Sequence, residues 1–213
     1  MTDDELFLQY RQSREPALLE ELVRRNFDRI YRFVASMLGK QRDGKRKAVG
    51  KWDVVDDLVQ DVLLNIVRGI DRFRGESAFS TWIWRIATNR VYRYFEETKK
   101  FVPTLETEQL ETMTDSARGR FCLDSASVSG RFCLDFAGNH NVAIANEWNQ
   151  RITAAIAELS PALRAALLLT TVEGLSPDQA AEVEGCTAAN IHWRVHKARK
   201  ILKEKLKDYT EAS

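Results

Sequence analysis

The stretch FRGESAFSTWIWRIATNRVYRYFEETKK, from Phe73 to Lys100, interleaves two tryptophans and two tyrosines with four arginines. Helical spacing puts its apolar side chains on one face: Phe79, Ile83, Ile86, Ala87 and Tyr94, with Trp82 at the margin. The same spacing puts polar side chains on the opposite face: Arg85, Thr88, Asn89, Tyr92 and Arg93. That face offers phosphate donors, an amide and a stacking ring, which packing alone does not explain. The stretch therefore predicts an amphipathic helix whose outer face is either merely solvated or binds nucleic acid.

Helical patterns also dominate the rest of the chain. Amphipathic runs predict helices at about 16–38, 53–70, 80–98, 147–158, 161–173, 177–184 and 188–208. Three prolines suit first helical turns, and Ser176 with Gln179 forms the pattern of a capping box. Strand signals are nearly absent, so we predict an all-α protein. Two small helical domains would span residues 1–100 and 147–213, joined by a linker at 101–146.

The composition is that of a globular protein, with 44% hydrophobic and 30% charged residues among 213. No apolar run approaches the roughly 20 residues of a membrane span. The acidic N-terminus lacks signal-peptide features, so we expect a cytoplasmic location. Three cysteines and three histidines show neither metal-ligand nor nucleophile spacing. We therefore expect no metal, no cofactor and no catalytic residues, and an enzyme is the least favoured class.

An acidic face characterises the segment WDVVDDLVQDVLLNIVRGIDRF, from Trp52 to Phe73. Its apolar side chains repeat at helical spacing and should face a core: Val55, Leu58, Val59, Val62, Leu63, Ile66, Val67 and Ile70. The opposite face presents Asp57, Gln60, Asp61, Leu64, Asn65 and Arg68, with Asp56 beside it. The pattern fits either a plain surface helix with acids near its N-terminus or a docking face for a basic partner.

The segment from Gly174 to Leu206 predicts a helix-turn-helix, with a glycine in the turn and Thr187 opening the second helix. The buried stripe of that second helix would be Ile191, Val195, Ala198 and Leu202. Its exposed early part carries Asn190, His192, Trp193, Arg194, His196 and Lys197, followed by Arg199 and Lys200. A recognition helix inserts its early turns into the major groove, and basic residues beyond them contact phosphates. The pattern favours DNA binding over a bare helical hairpin.

Three motifs in this order resemble the extracytoplasmic-function (ECF) sigma factors of bacterial RNA polymerase. They are DDLVQD at 56–61, FRGESAFSTW at 73–82 and RIATN at 85–89, and the C-terminal helix-turn-helix also resembles that family. The resemblance covers roughly 16–98 and 147–208 and leaves the linker uncovered. It implies a factor that directs core polymerase to a specific promoter set and assists promoter melting and transcription initiation.

The resemblance implies a role for each matching surface. Core polymerase would dock on Asp56, Asp57, Gln60, Asp61 and Asn65. The minus-ten promoter element, including one unpaired base, would bind Phe73, Arg74, Gly75, Ser77, Arg85, Asn89, Arg90, Tyr92 and Arg93. The minus-thirty-five element would bind Asn190, His192, Trp193, Arg194, His196, Lys197, Arg199 and Lys200. The resemblance also implies control by an anti-sigma factor or another regulatory protein.

The residues leave several alternatives open. A one-component helix-turn-helix regulator is the main rival function, although the N-terminal half then lacks an explanation. Trp193 could contact a thymine methyl group or cover a neighbouring helix. The basic insertion Lys40–Lys51 is longer than the connection usual in the family. The linker repeats GRFCLD at 119–124 and 130–135, either as a tandem duplication in a disordered segment or as a hairpin with Cys122 opposite Cys133.

Overall fold

The computed structural model describes residues 1–39, 51–98 and 142–210, without the side chains of 51–53, 142–149 and 208–210. The helices are α1 (Asp3–Ser13), α2 (Pro16–Met37), α3 (Lys51–Gly69), α4 (Phe79–Glu97), α5 (Val142–Ala157), α6 (Pro161–Leu167), α7 (Pro177–Glu184) and α8 (Ala188–Thr210). A 3₁₀ turn at Ile70–Arg72 extends α3, and a π-helical turn at Leu168–Val172 extends α6. All regular structure in the described ranges is helical, which confirms the predicted fold class.

The sequence pattern missed α1 altogether. The backbone N–H of Glu5 donates to Thr2 Oγ1 at 3.2 Å, and the Glu5 carboxylate accepts from the Thr2 N–H at 2.8 Å. These two bonds form a capping box, which satisfies donors that the start of a helix otherwise leaves unpaired. The Thr-x-x-Glu pattern at residues 2–5 was the signal that predicts this helix start.

The predicted helix starts are confirmed except for that of α5, which begins at Val142 and not at about residue 147. Proline stands in the first turn of α2, α6 and α7. Ser176 and Gln179 form both bonds of their capping box, at 2.9 and 3.2 Å. Helix α7 ends at Gly185, whose φ of 64° is in the left-handed region that glycine adopts without strain. Thr187 Oγ1 accepts from the Asn190 N–H at 3.3 Å and so opens α8 as expected.

Helices α1 to α4 pack around a core whose bulkiest fully buried side chain is Trp84. The sequence pattern did not place Trp84 or Val91 on the apolar face of α4, and it placed Thr88 on the polar face, yet all three are buried. The physical reason is that α4 contacts α1, α2, α3 and α7, so its buried arc is wider than a single stripe. The opposite error concerns Val67, which was predicted to be in the core and is 43% exposed.

The apolar core continues from the N-terminal helices into the C-terminal ones. Leu169, Ala180 and Ile191 belong to the same buried cluster as Trp84, and α7 packs along α4. A smaller cluster joins the C-terminal helices and consists of Leu159, Leu163, Leu167 and Ala198. The two predicted domains are therefore in contact, and their boundaries stay a prediction. Residues 40–50 of the basic insertion and the whole linker repeat lie outside the described residues.

Arg164 ties the two halves of the fold together. Its side chain is only 6% exposed, and its guanidinium donates to four backbone carbonyls. One of them is the Met37 carbonyl at the end of α2; the other three belong to residues 156, 157 and 159, where α5 ends. Burial lowers the pKa of this arginine to about 10. Gly39 makes the junction tight, because a Cβ there would lie 2.8 Å from the Ala157 methyl group.

We expect Arg164→Met to lower the free energy of unfolding by at least about 3 kcal/mol, because a charged donor is worth roughly 1.5–3 kcal/mol per bond and several buried carbonyls lose it. The methionine keeps a comparable apolar stem, so the loss reports the hydrogen bonds. Urea denaturation followed by circular dichroism measures the change. Arg24→Met is the matched control, since Arg24 is exposed on α2. Equal stability of the two variants would contradict the structural role of Arg164.

Candidate nucleic-acid interface

A cleft of about 570 Å³ lies between the end of α3, the loop at residues 73–78 and the outer face of α4. It is lined by Asn65, Gly69, Arg72, Phe73, Arg74, Glu76, Ser77, Trp82, Arg85, Ile86, Asn89, Arg90, Arg93 and Glu182. Seven of the nine residues predicted for the minus-ten element are in this lining; Gly75 and Tyr92 are not. The structure thus brings together side chains that the sequence placed in two separate motifs.

Aromatic rings form one wall of the cleft. The rings of Phe73 and Trp82 stack with centroids 4.8 Å apart. Gly69 permits this arrangement, because a Cβ at that position would lie only 3.1 Å from the Trp82 ring. Both rings are only half-buried, so they offer partly exposed aromatic surface of the kind on which unpaired bases stack. The sequence had assigned Trp82 to packing alone, and its position beside Gly69 is visible only in the folded chain.

Arginines supply the positive charge of the cleft, and they differ in how far their side chains are exposed. Arg74 and Arg93 are exposed, whereas Arg90 is half-buried, with its Nε 2.8 Å from Asp61 Oδ2. Asp61 was predicted to dock polymerase together with Asp56, Asp57, Gln60 and Asn65. That docking role stays a prediction, and the structure shows in addition that Asp61 pairs with an arginine of the cleft. Asn65 likewise lines the cleft, so the two predicted surfaces adjoin along α3.

The end of α7 lies against the remaining part of the predicted minus-ten face. Arg85 Nη2 donates to the Glu182 carbonyl oxygen at 2.6 Å and lies 3.8 Å from its carboxylate. Tyr92 does not reach the cleft, because its hydroxyl donates to Glu184 Oε2 at 2.8 Å. Arg194 Nη1 donates to that same oxygen at 3.1 Å. Tyr92 of the predicted minus-ten surface and Arg194 of the predicted minus-thirty-five surface therefore share the Glu184 carboxylate.

The electrostatics of Glu184 reflect its burial. Its side chain is 2% exposed, and burial raises the pKa of the carboxyl to about 7, against the opposing effects of the Tyr92 hydrogen bond and Arg194. Burial also raises the pKa of Tyr92 well above its usual value, with the Glu184 charge adding to the effect. Burial raises the pKa of the nearby Cys186 thiol, while Arg194 lowers it and Glu184 raises it further. The contact between α4 and α7 thus contains a carboxyl group that titrates near neutral pH.

The predicted recognition helix, α8, has both exposed and packed positions. His192, His196, Arg199 and Lys200 are exposed, as the pattern predicted. Trp193 is half-buried and packs against the cluster formed by α5, α6 and α8, and the Lys197 ammonium lies 4.7 Å from its ring centroid. Of the two readings of Trp193, the structure favours the one in which it covers a neighbouring helix. Arg194 is held by Glu184, and Asn190 is half-buried.

In the part of the chain that the structure describes, no group of three His, Cys, Asp or Glu residues could hold a metal ion. Among residues 1–39, 51–98 and 142–210, no helix is both long and apolar enough to cross a membrane.

Comparisons with known proteins match both halves of the chain. The family model for sigma-70 region 2 matches residues 22–101, and that for sigma-70 region 4 matches residues 149–202. The ECF RNA polymerase sigma-E factor of Escherichia coli K12 is 27% identical over 152 residues, covering 71% of this chain and 73% of its own. The sigma-E factor of Haemophilus influenzae is 28% identical over 160 residues, covering 71% of this chain and 74% of its own.

Solved structures share the fold. One is the sigma factor RpoE bound to the anti-sigma factor NepR from Bartonella quintana, with a TM-score of 0.58 and 22% identity over 88% of this chain and 96% of its own. Another is CnrH bound to the cytosolic domain of CnrY, with a TM-score of 0.59 and 20% identity over 97% of this chain and 99% of its own.

An arginine-lined cleft on one helical half and a helix-turn-helix on the other are features of a DNA-binding transcription factor. The family matches make the class narrower: the chain belongs to the ECF sigma factors of RNA polymerase. It is therefore a sigma factor that directs transcription initiation. Sigma factors as a class are non-enzymatic transcription initiation factors.

The Glu184 carboxyl should make stability depend on pH. Its pKa is higher in the folded protein than in the unfolded chain, so the folded state binds more protons between about pH 4.5 and pH 7 and loses stability as the pH rises through that window. Between pH 5 and pH 8, ionisation of Glu184 should lower the free energy of unfolding of the wild-type protein by at most about 3 kcal/mol. We expect Glu184→Gln to remove this decrease. Urea denaturation at each pH measures it.

The matched control for that experiment is Glu182→Gln, which alters an exposed carboxyl two residues away. The control should retain the pH dependence of the wild-type protein. If Glu184→Gln retains it as well, the carboxyl is not titrating in the contact between α4 and α7.

Proposed function

We propose that three surfaces of this sigma factor divide the work of initiation. The exposed acidic face of α3 docks on a basic surface of core polymerase. The cleft beside α4 receives an unpaired base of the minus-ten element, and the exposed part of α8 reads the minus-thirty-five duplex. We further propose that residues 1–100 and 147–213 act as the two DNA-binding domains.

The observation that carries the proposal is the composition of the cleft. Stacked rings, an exposed amide on Asn89 and several arginines converge on one volume of about 570 Å³. A ring offers a stacking surface worth roughly 1–3 kcal/mol per base, and an amide can pair with the edge of an extruded base. The arginines would neutralise the phosphates on either side of that base. Stacking, pairing with the amide and neutralisation of the phosphates would together stabilise the separated strand.

The charge of the α3 face supports the docking role. Asp56, Asp57 and Gln60 are exposed, on the side of α3 opposite its buried residues. Leu64 is 41% exposed on the same side, so the face combines carboxylates with apolar surface. Charged groups steer association and fix register, while apolar contact contributes affinity.

The contacts of α7 imply that the two halves separate when promoter DNA binds. Glu182 occupies the rim of the cleft and holds Arg85, and Glu184 holds both Tyr92 and Arg194. A nucleic-acid strand cannot use those side chains until the carboxylates leave them. One of the solved structures named above is the sigma factor RpoE bound to the anti-sigma factor NepR, and we propose that a partner of that kind controls this chain.

Transcription from a promoter library tests the proposal directly. Core polymerase is assayed with and without this protein, and the products identify the promoters used. A sigma factor restores specific initiation to the bare core enzyme, whereas a one-component helix-turn-helix regulator does not. Absence of initiation would contradict the proposed function.

Charge reversal at Asp57 tests the docking face. We expect Asp57→Lys to weaken association with core polymerase at least about tenfold, because like charges then face each other across the interface. Titration of fluorescently labelled protein with core enzyme measures the affinity. Asp28→Lys is the matched control on an exposed position of α2. An unchanged affinity for Asp57→Lys would remove α3 from the docking role.

Substitution of Asn89 tests the cleft. We expect Asn89→Ala to reduce open-complex formation at least about tenfold while leaving upstream duplex binding unchanged, since hydrogen bonds to a base edge matter only after the strands separate. Permanganate footprinting of unpaired thymines measures opening. Glu96→Ala, at an exposed position of α4 that does not line the cleft, is the control. Equal losses of opening and duplex binding would assign Asn89 a general structural role.

A further inference from the structure

Helix α1 lies directly against the loop that forms one edge of the cleft. The Phe7 ring has its centroid 4.9 Å from that of Phe73 and 5.4 Å from that of Phe79, so it packs against both ends of the loop at 73–78. Phe7 is buried, with 3% exposure. A residue of α1 thus supports the aromatic wall of the cleft without lining the cleft itself.

Polar contacts attach α1 to the same loop at its centre. Arg11 Nη1 donates to the Arg74 carbonyl oxygen at 3.1 Å. Gly75 follows with a φ of 77°, and a Cβ there would lie 3.9 Å from the Phe7 ring and 4.0 Å from the Arg11 guanidinium. The loop therefore makes a left-handed turn directly over α1, and Arg11 holds the carbonyl that precedes this turn.

Both ends of the loop are fixed by α1 as well. Upstream, Asp71 accepts a hydrogen bond from the Tyr10 hydroxyl at 3.2 Å and pairs with Arg14. Downstream, Asp4 Oδ1 accepts from the Phe79 N–H at 2.7 Å. The N-cap residue of α4 is alanine and provides no side-chain cap, so a carboxylate from another helix replaces it.

We propose that α1 is the positioning element of the minus-ten cleft, and that Arg11, Tyr10 and Asp4 are positioning residues that hold the 73–78 loop in its base-accepting shape. This inference rests on the function proposed for the cleft. The region 2 family match begins at residue 22, so it assigns α1 no role. Without these contacts, a loop that contains a glycine would sample many conformations, and ordering it would reduce the affinity for DNA.

Arg11→Ala is the most informative substitution. Arg11 is exposed, so its loss should leave the core of α1 intact. The holoenzyme, formed with core polymerase, is titrated with a fluorescent single strand that carries the minus-ten sequence of a promoter from the library. Matched strands carry an abasic site at each position in turn. The ratio of the two affinities measures how well the cleft recognises the base.

We expect Arg11→Ala to bind the intact strand about fivefold more weakly. At a single position, the ratio of its affinity for the intact strand to its affinity for the abasic strand should fall towards one. Arg11→Lys retains a donor and should restore part of that preference, while Gln9→Ala, at an exposed position of α1, should behave as wild type. Affinity for the upstream duplex should not change, and the amides of 73–78 should exchange hydrogen faster in Arg11→Ala.

Full base discrimination by Arg11→Ala would overturn the positioning role, as would a parallel loss of upstream duplex binding. Failure of the proposed function has a different signature. In that case, the wild-type holoenzyme would itself show no preference for a base over an abasic site. Faster amide exchange of the loop in Arg11→Ala would still establish that α1 holds it.

Discussion

The buried guanidinium of Arg164 is the constraint on which the arrangement of the two halves depends. A charged group with 6% exposure needs partners, and here they are backbone carbonyls at the ends of α2 and α5. Helix ends carry unpaired carbonyls and the negative end of the helix dipole, so they suit a cation. Because one side chain bonds to both ends at once, α6 is fixed relative to α2, and α7 is thereby brought against α4.

That placement determines which predicted DNA contacts are accessible. Arg74, Arg93 and Asn89 remain exposed on the cleft, while Arg85, Tyr92 and Arg194 are held by the glutamates at the end of α7. A carboxylate, like a phosphate, is an anionic group with oxygens that accept hydrogen bonds from an arginine. Under the proposed function, the contact between the halves competes with promoter DNA for the same side chains, and the strength of that contact decreases as Glu184 ionises.

The candidate site was predictable in part because its residues lie in short motifs. The 73–78 loop and the exposed face of α4 are close in sequence, so helical spacing and a turn glycine suffice to place them together. Trp82 and Asn65 were assigned to other roles, since their place in the cleft depends on the angle between α3 and α4. The contribution of α1 was missed for the same reason: Phe7 and Arg11 reach the loop across more than sixty residues of chain.

The sequence by itself determined the helical class, most helix starts and the surfaces that carry charge, because capping, proline placement and periodicity act over a few residues. Only the tertiary structure decided the width of each buried face, as Trp84, Thr88 and Val67 show, since burial depends on how many neighbours surround a helix. It alone also decided that Glu184 would be buried between Tyr92 and Arg194. Burial gives that glutamate its raised pKa, against the lowering effects of both partners, and this burial is not encoded within the local segment of α7.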